Sequence, residues 1–180
     1  MRRAWTALCR PAGRRRLALA AGLVLLVAGA APLLWGPSAA VVIGRVDQVM
    51  VDKSERRLYL LRDGRVLESF AVALGRNPSG PKLAEGDGRT PEGRYRLTWR
   101  DPDSSHYKAI LISYPDAADK ARAAAAGVDP GGEIMLHGQR SVWRWFSRDS
   151  WTDGCIAVSN TAMDVIWNAT RAGTPIVIRP

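Results

Sequence analysis

Apolar and polar residues alternate along residues 46–51 (VDQVMV), the two-residue period of a strand that buries one face. Residues 57–61 (RLYLL) predict a second strand and 66–74 (VLESFAVAL) a third, with Asp63-Gly64 as the turn between them. Residues 75–93 (GRNPSGPKLAEGDGRTPEG) break every period; the density of Gly and Pro predicts a long surface loop whose Lys and Arg are solvated. Strands resume at 94–99 (RYRLTW) and 109–113 (AILIS). Residues 115–127 (PDAADKARAAAAG) open on Pro and acids and close on Gly, which predicts a short helix. A buried strand follows at 132–137 (GEIMLH). Ser159 or Asn160 caps a second helix running to about Arg171, with Met163, Ile166 and Trp167 inward, and 176–178 close the domain as a strand. Many short strands with one or two helices predict a mainly β fold, a sandwich or barrel-like domain.

The first 44 residues follow a different pattern. Residues 1–16 carry six arginines and no acid, and 17–35 (LALAAGLVLLVAGAAPLLW) are almost wholly apolar. A basic flank before such a run predicts an export segment whose arginines stay in the cytoplasm. The small residues at 28–30 suit cleavage by a signal peptidase, while the 19-residue run is also long enough for an uncleaved membrane anchor. Either way, residues 1–44 are expected to address the chain to the membrane, leaving 45–180 as an exported domain, in the periplasm or on the outer face of the inner membrane. This division also explains the charge. The chain of 180 residues has a net charge of +9, which invites a nucleic-acid reading. Without the six leading arginines, 20 bases face 17 acids, an ordinary balance that points away from nucleic acid.

Cysteine usage marks a site. Cys9 lies in the basic flank and Cys155 near the other end, so the membrane would separate them and prevent a disulfide. A lone thiol in an exported domain needs a purpose, because oxidising compartments pair or eliminate thiols. His137, one of two histidines, ends the apolar run Ile134-Met135-Leu136 and precedes Gly138. An imidazole that accepts a thiol proton turns sulfur into a strong nucleophile, provided one tautomer is held. Gly154 before Cys155 permits an unusual backbone angle, and N–H groups around Gly154 and Cys155 could form an oxyanion hole. A buried structural thiol and a core histidine are the bland alternative. Two isolated histidines make no metal-ligand cluster, so neither metal nor cofactor is expected.

His137-Gly138 followed by Thr152-x-Gly154-Cys155 resembles the signature of YkuD-type L,D-transpeptidase domains, within them the YafK-like branch. Residues 49–75 resemble the family's opening strands, Thr90-Pro91-Glu92-Gly93 its turn, and 173–179 its closing strand. The resemblance implies a YkuD-like β-sandwich and a Cys155 nucleophile attacking a peptidoglycan stem peptide to form a thioester. It further implies His137 as base and acid, with the Gly138 carbonyl holding its other nitrogen. An amine acceptor gives a cross-link and water gives hydrolysis, so an L,D-hydrolase releasing an envelope lipoprotein or a D-residue is the second reading. A domain that binds the wall with an idle cysteine is the third. Two departures from the family flank the pocket beside Thr152: Asp153 stands where His is common, and Ala157 where Arg or Asn is common. Asp153 would repel a donor carboxylate, capture an acceptor amine, or simply shape the turn. Residues 140–151 (RSVWRWFSRDSW) read as a lid, with Trp143 or Trp151 against the stem and Arg140 pairing a carboxylate, or as a solvated basic face over packed aromatics.

Overall fold

The computed structural model describes residues 43–139 and 150–180. Strands β1 (Gln48–Asp52), β2 (Arg57–Arg62) and β3 (Arg65–Ala71) form an antiparallel meander. The alternation read from the sequence sets its inner face: Val49, Val51, Leu58 and Leu60 are fully buried, while Gln48, Met50 and Tyr59 are partly exposed. The β2–β3 turn has left-handed residues at Asp63 and Gly64, as a tight hairpin requires.

Strand β8 (Pro175–Arg179) runs parallel to β1 and antiparallel to β4 (Gly93–Asp101), so the last strand of the chain lies inside the sheet. The first half of β4 pairs with β8. Its second half, after a register shift between Leu97 and Arg100, pairs with β5 (Ala109–Ile112). Next come β6 (Met135–His137), antiparallel to β5, and β7 (Ile156–Ala157), parallel to β6. The order β3-β2-β1-β8-β4-β5-β6-β7 is one eight-stranded sheet. Bridges from Ala73 to Ala157 and from Gly75 to Thr152 tie its last strand back to the chain leaving β3. The mainly β class with two helices is as the sequence predicts. The sheet is a single curled one, with β4 pairing β8 in one half and, past its register shift, β5 in the other.

Helix α1 (Ala117–Ala125) starts in a capping box between Asp116 and Asp119. Helix α2 (Asn160–Ala169) is capped by Ser159, whose Oγ accepts the Ala162 N–H at 3.1 Å, and stops at Thr170. Met163 and Ile166 of α2 are fully buried, joining Leu97, Ile110, Leu136, Ile156 and Ile176 in the core. Each such side chain contributes roughly 1.5–3 kcal/mol on burial.

The long loop after β3 is pinned from below. Lys53, just past β1, is buried and donates to Gly80 O at 2.6 Å, Thr90 O at 3.0 Å and Glu92 Oε1 at 2.8 Å. Lys82 is buried as well, which corrects the reading of this loop's cations as uniformly solvated. Its ammonium donates to Ala84 O (3.0 Å) and Asp87 Oδ1 (2.9 Å). Burial works to raise the Asp87 pKa, but the Leu83 N–H, Lys82 and the Arg89 and Ala84 N–H groups hold it at about 2. Lys53→Met is expected to cost about 3 kcal/mol, because it strands the Glu92 carboxylate and two carbonyls. Urea unfolding of the two proteins measures this directly.

Candidate active site

Strand alternation puts the predicted pair on one side of the sheet. Leu136 and Ile156 are neighbours on β6 and β7 and both face the core, so His137 and Cys155, one residue away from each, face outward together. The Cys155 Sγ accepts the Met135 N–H at 3.4 Å and donates to Glu133 O at 3.7 Å, so the thiol docks on the segment leading to His137. Thiol and imidazole are not hydrogen-bonded to each other in this resting arrangement. Catalytic contacts of this kind tighten when substrate arrives.

His137 is 5% exposed, and its Nδ1–H donates to the Gly138 carbonyl at 2.6 Å. That bond fixes the tautomer and leaves Nε2 as the basic nitrogen. Burial pulls the His137 pKa down to about 4, against the Gly138 bond and with a contribution from His106. The His106 ring lies 4.8 Å from that of His137, and the Trp151 ring stands edge-on to His137 at 6.0 Å. The His137 imidazole is therefore neutral at pH 7. Cys155 is neutral too: burial pushes its thiol up, as do the Asp153 and Glu133 carboxylates, against the Met135 N–H and the Lys82 ammonium. Both groups are therefore uncharged at rest, a thiol beside an imidazole.

The turn from Thr152 to Cys155 is braced from within. Thr152 is buried; its Oγ1 donates to Cys155 O at 2.7 Å and accepts the Gly154 N–H at 3.2 Å. Thr152 thus holds the turn from beneath. The Gly154 N–H is engaged inside the turn. Gly154 also has a backbone role: φ is +132°, and a Cβ there would stand 2.7 Å from Arg89 O. Gly138 is required for close approach, since a Cβ would lie 2.7 Å from Asn160 Oδ1, the acceptor of the Gln139 N–H.

Asp153 is exposed and ion-paired to Arg76, on the far side of the sequence. Of the predicted ligand-facing residues, Trp151 and Asp153 are thus brought to the site and Thr152 is beneath it. Arg140 and Trp143 lie outside the described residues, as does the N-terminal export segment. Sequence reasoning missed Glu133, Asn160, Lys82 and Arg76. Glu133 has a left-handed φ of 55°, which turns its carbonyl to the thiol, and no glycine marks the position. His106 and Tyr107 precede β5, and the structure sets them apart: His106 meets His137, whereas the Tyr107 hydroxyl donates to Asp164 at 2.9 Å.

Comparison with known proteins gives a consistent picture. The family model for YkuD, the L,D-transpeptidase catalytic domain, matches residues 47–178. YafK of Escherichia coli K12, named as an L,D-transpeptidase, is 31% identical over 132 residues, 70% of this chain and 48% of its own length. The chain thus spans about half the length of the curated relatives it matches. The crystal structure of Pgp2, a helical cell-shape-determining protein of Campylobacter jejuni, superposes with a TM-score of 0.59 at 26% identity, over 76% of this chain and 48% of that one. An L,D-transpeptidase of Xylanimonas cellulosilytica shares the fold, with a TM-score of 0.51 at 19% identity, over 76% and 62% of the two chains.

Proposed function

Because the chain belongs to the YkuD family of L,D-transpeptidase catalytic domains, we propose that residues 45–180 are an exported cysteine acyltransferase acting on peptidoglycan stem peptides. The observation that carries this reading is the His137 Nδ1–H bond to Gly138, which leaves Nε2 as a neutral base on the face where Cys155 stands. Cys155 Sγ attacks the carbonyl that links the L-centre of a diamino acid to a D-residue, and His137 Nε2 takes the thiol proton. The carbonyl electron pair moves to oxygen, where the Cys155 N–H stabilises it. As the tetrahedral adduct collapses, the C–N bond breaks and His137 returns the proton to the departing amine. The resulting thioester passes to an acceptor amine, or to water, and the thiol is regenerated. Kinship to a cell-shape-determining protein fits an enzyme that links or trims wall peptides.

Asp153 favours keeping hydrolysis as a second reading, since an anionic lip in place of the family's common imidazole alters the acceptor side of the thioester. Release of an envelope lipoprotein from the stem belongs to that reading. The full-length protein, incubated with tetrapeptide muropeptides with and without an added amine, distinguishes the two by product mass. An amine-linked product is expected for transpeptidation. Free carboxylate alone, even with amine present, assigns the hydrolase, and recovery of unchanged muropeptide contradicts both.

A further inference from the structure

One cation of the long loop reaches the turn before Cys155 and has no task in the chemistry above. Arg76 is fixed there by its backbone: its N–H donates to Thr152 O at 2.9 Å, and Gly75 before it bridges Thr152 and donates to Thr90 Oγ1 at 3.0 Å. Its guanidinium side chain is 63% exposed and closes on Asp153, whose side chain is 78% exposed. Two neighbouring cations of the loop are committed inward, Lys82 to Ala84 O and Asp87, and Arg89 to Pro81 O. Arg76 alone of these three presents its fork to solvent with a carboxylate on it.

We infer that Arg76 is the receptor for the carboxylate of the substrate's leaving residue, and that Asp153 occupies that receptor until substrate displaces it. The inference rests on the proposed stem-peptide reading and names a subsite for it. The leaving D-residue of a tetrapeptide carries its α-carboxylate one carbon from the scissile nitrogen. A group that holds this carboxylate must therefore stand within a few bond lengths of the attacked carbonyl. Asp153 is two residues before Cys155, and its charge is felt at the thiol. Guanidinium binds carboxylate through two parallel hydrogen bonds, and one carboxylate replaces another without stranding a charge. Solvent-exposed ion pairs contribute little to stability, so the Arg76–Asp153 pair opens at small cost. Displacement also takes the Asp153 charge off its partner next to the thiol and offers it to an incoming ammonium, the form in which an acceptor amine arrives at neutral pH.

The test is binding, separated from turnover by Cys155→Ala. Calorimetry of this full-length protein compares a tetrapeptide stem ending in a free α-carboxylate with the same stem ending in a carboxamide. The acid is expected to bind about tenfold more tightly or better, as a charge-assisted bidentate contact implies. Adding Arg76→Gln should erase that preference. Adding Asp153→Asn should tighten the acid by about threefold and leave the amide unchanged, because it removes an internal competitor. A merely structural Arg76 predicts no such opposite pair of effects. Equal binding of acid and amide, no binding of either, or weaker acid binding in Asp153→Asn overturns the assignment. If the acid preference holds while the unsubstituted enzyme turns over no stem peptide, the acyl-transfer reading fails and the carboxylate site stands.

Discussion

Cys155→Ala is expected to lower turnover of tetrapeptide stems by on the order of 10⁴-fold or more, because a covalent route has no substitute for its nucleophile. The same substitution should leave the fold nearly untouched. The two hydrogen bonds of Sγ are long, at 3.4 and 3.7 Å, and the side chain faces away from the core shared by Leu136 and Ile156. Urea unfolding should therefore show a change below about 1 kcal/mol. An idle structural cysteine predicts the reverse pattern, activity retained and stability lost. Product formation by liquid chromatography, alongside the unfolding curve, separates the two.

His137 is expected to give the protein an acid-sensitive stability with a defined window. Its folded pKa of about 4 lies below the ordinary histidine value of 6.5, so the unfolded chain binds the extra proton between these pH values. The stability that His137 contributes is complete above pH 6.5 and is lost as pH falls toward 4, in total roughly 3 kcal/mol. Asp87, held at about 2, acts in a lower window, below pH 4. Denaturant midpoints between pH 4 and 7.5 should rise with pH in the wild type and lie flatter in His137→Gln. Activity follows from the same number: Nε2 is a free base down to about pH 5, so the acid limb of kcat/KM should fall below pH 5 rather than near 6.5. His137→Gln should remove that limb and slow turnover by about 10²–10⁴-fold.

Local order was largely legible in the sequence, and long-range pairing was not. Alternation at Val49, Val51, Leu58 and Leu60 marked the inner face of β1 and β2, and Ser159 marked the start of α2, because each signal is contained within a few residues. Strand β7 escaped notice since Ile156 and Ala157 are too few to show a period; their pairing depends on Leu136 and His137, twenty residues earlier. That one sheet curls through the whole domain was not legible, because the register shift inside β4 has no marker such as Gly or Pro. Lys82 looked like loop surface, and its inward commitment to Ala84 O and Asp87 exists only once the loop is folded. At the site, the short spacing of His137-Gly138 and Gly154-Cys155 drew attention to these residues, and the pairing of β6 with β7 brings the two segments side by side. Arg76 was not legible, since its partner Asp153 is distant along the chain and the meeting of the two exists only in the fold.

The central claim is that Cys155 becomes acylated by a stem peptide with loss of its D-residue. Intact mass of the full-length protein, quenched in acid after brief exposure to tetrapeptide stems, reads this event directly. The account predicts a mass gain equal to the stem less its terminal D-residue, reversed by hydroxylamine and absent in Cys155→Ala. A gain that persists in Cys155→Ala, or turnover by wild type with no adduct at any quench time, would contradict it.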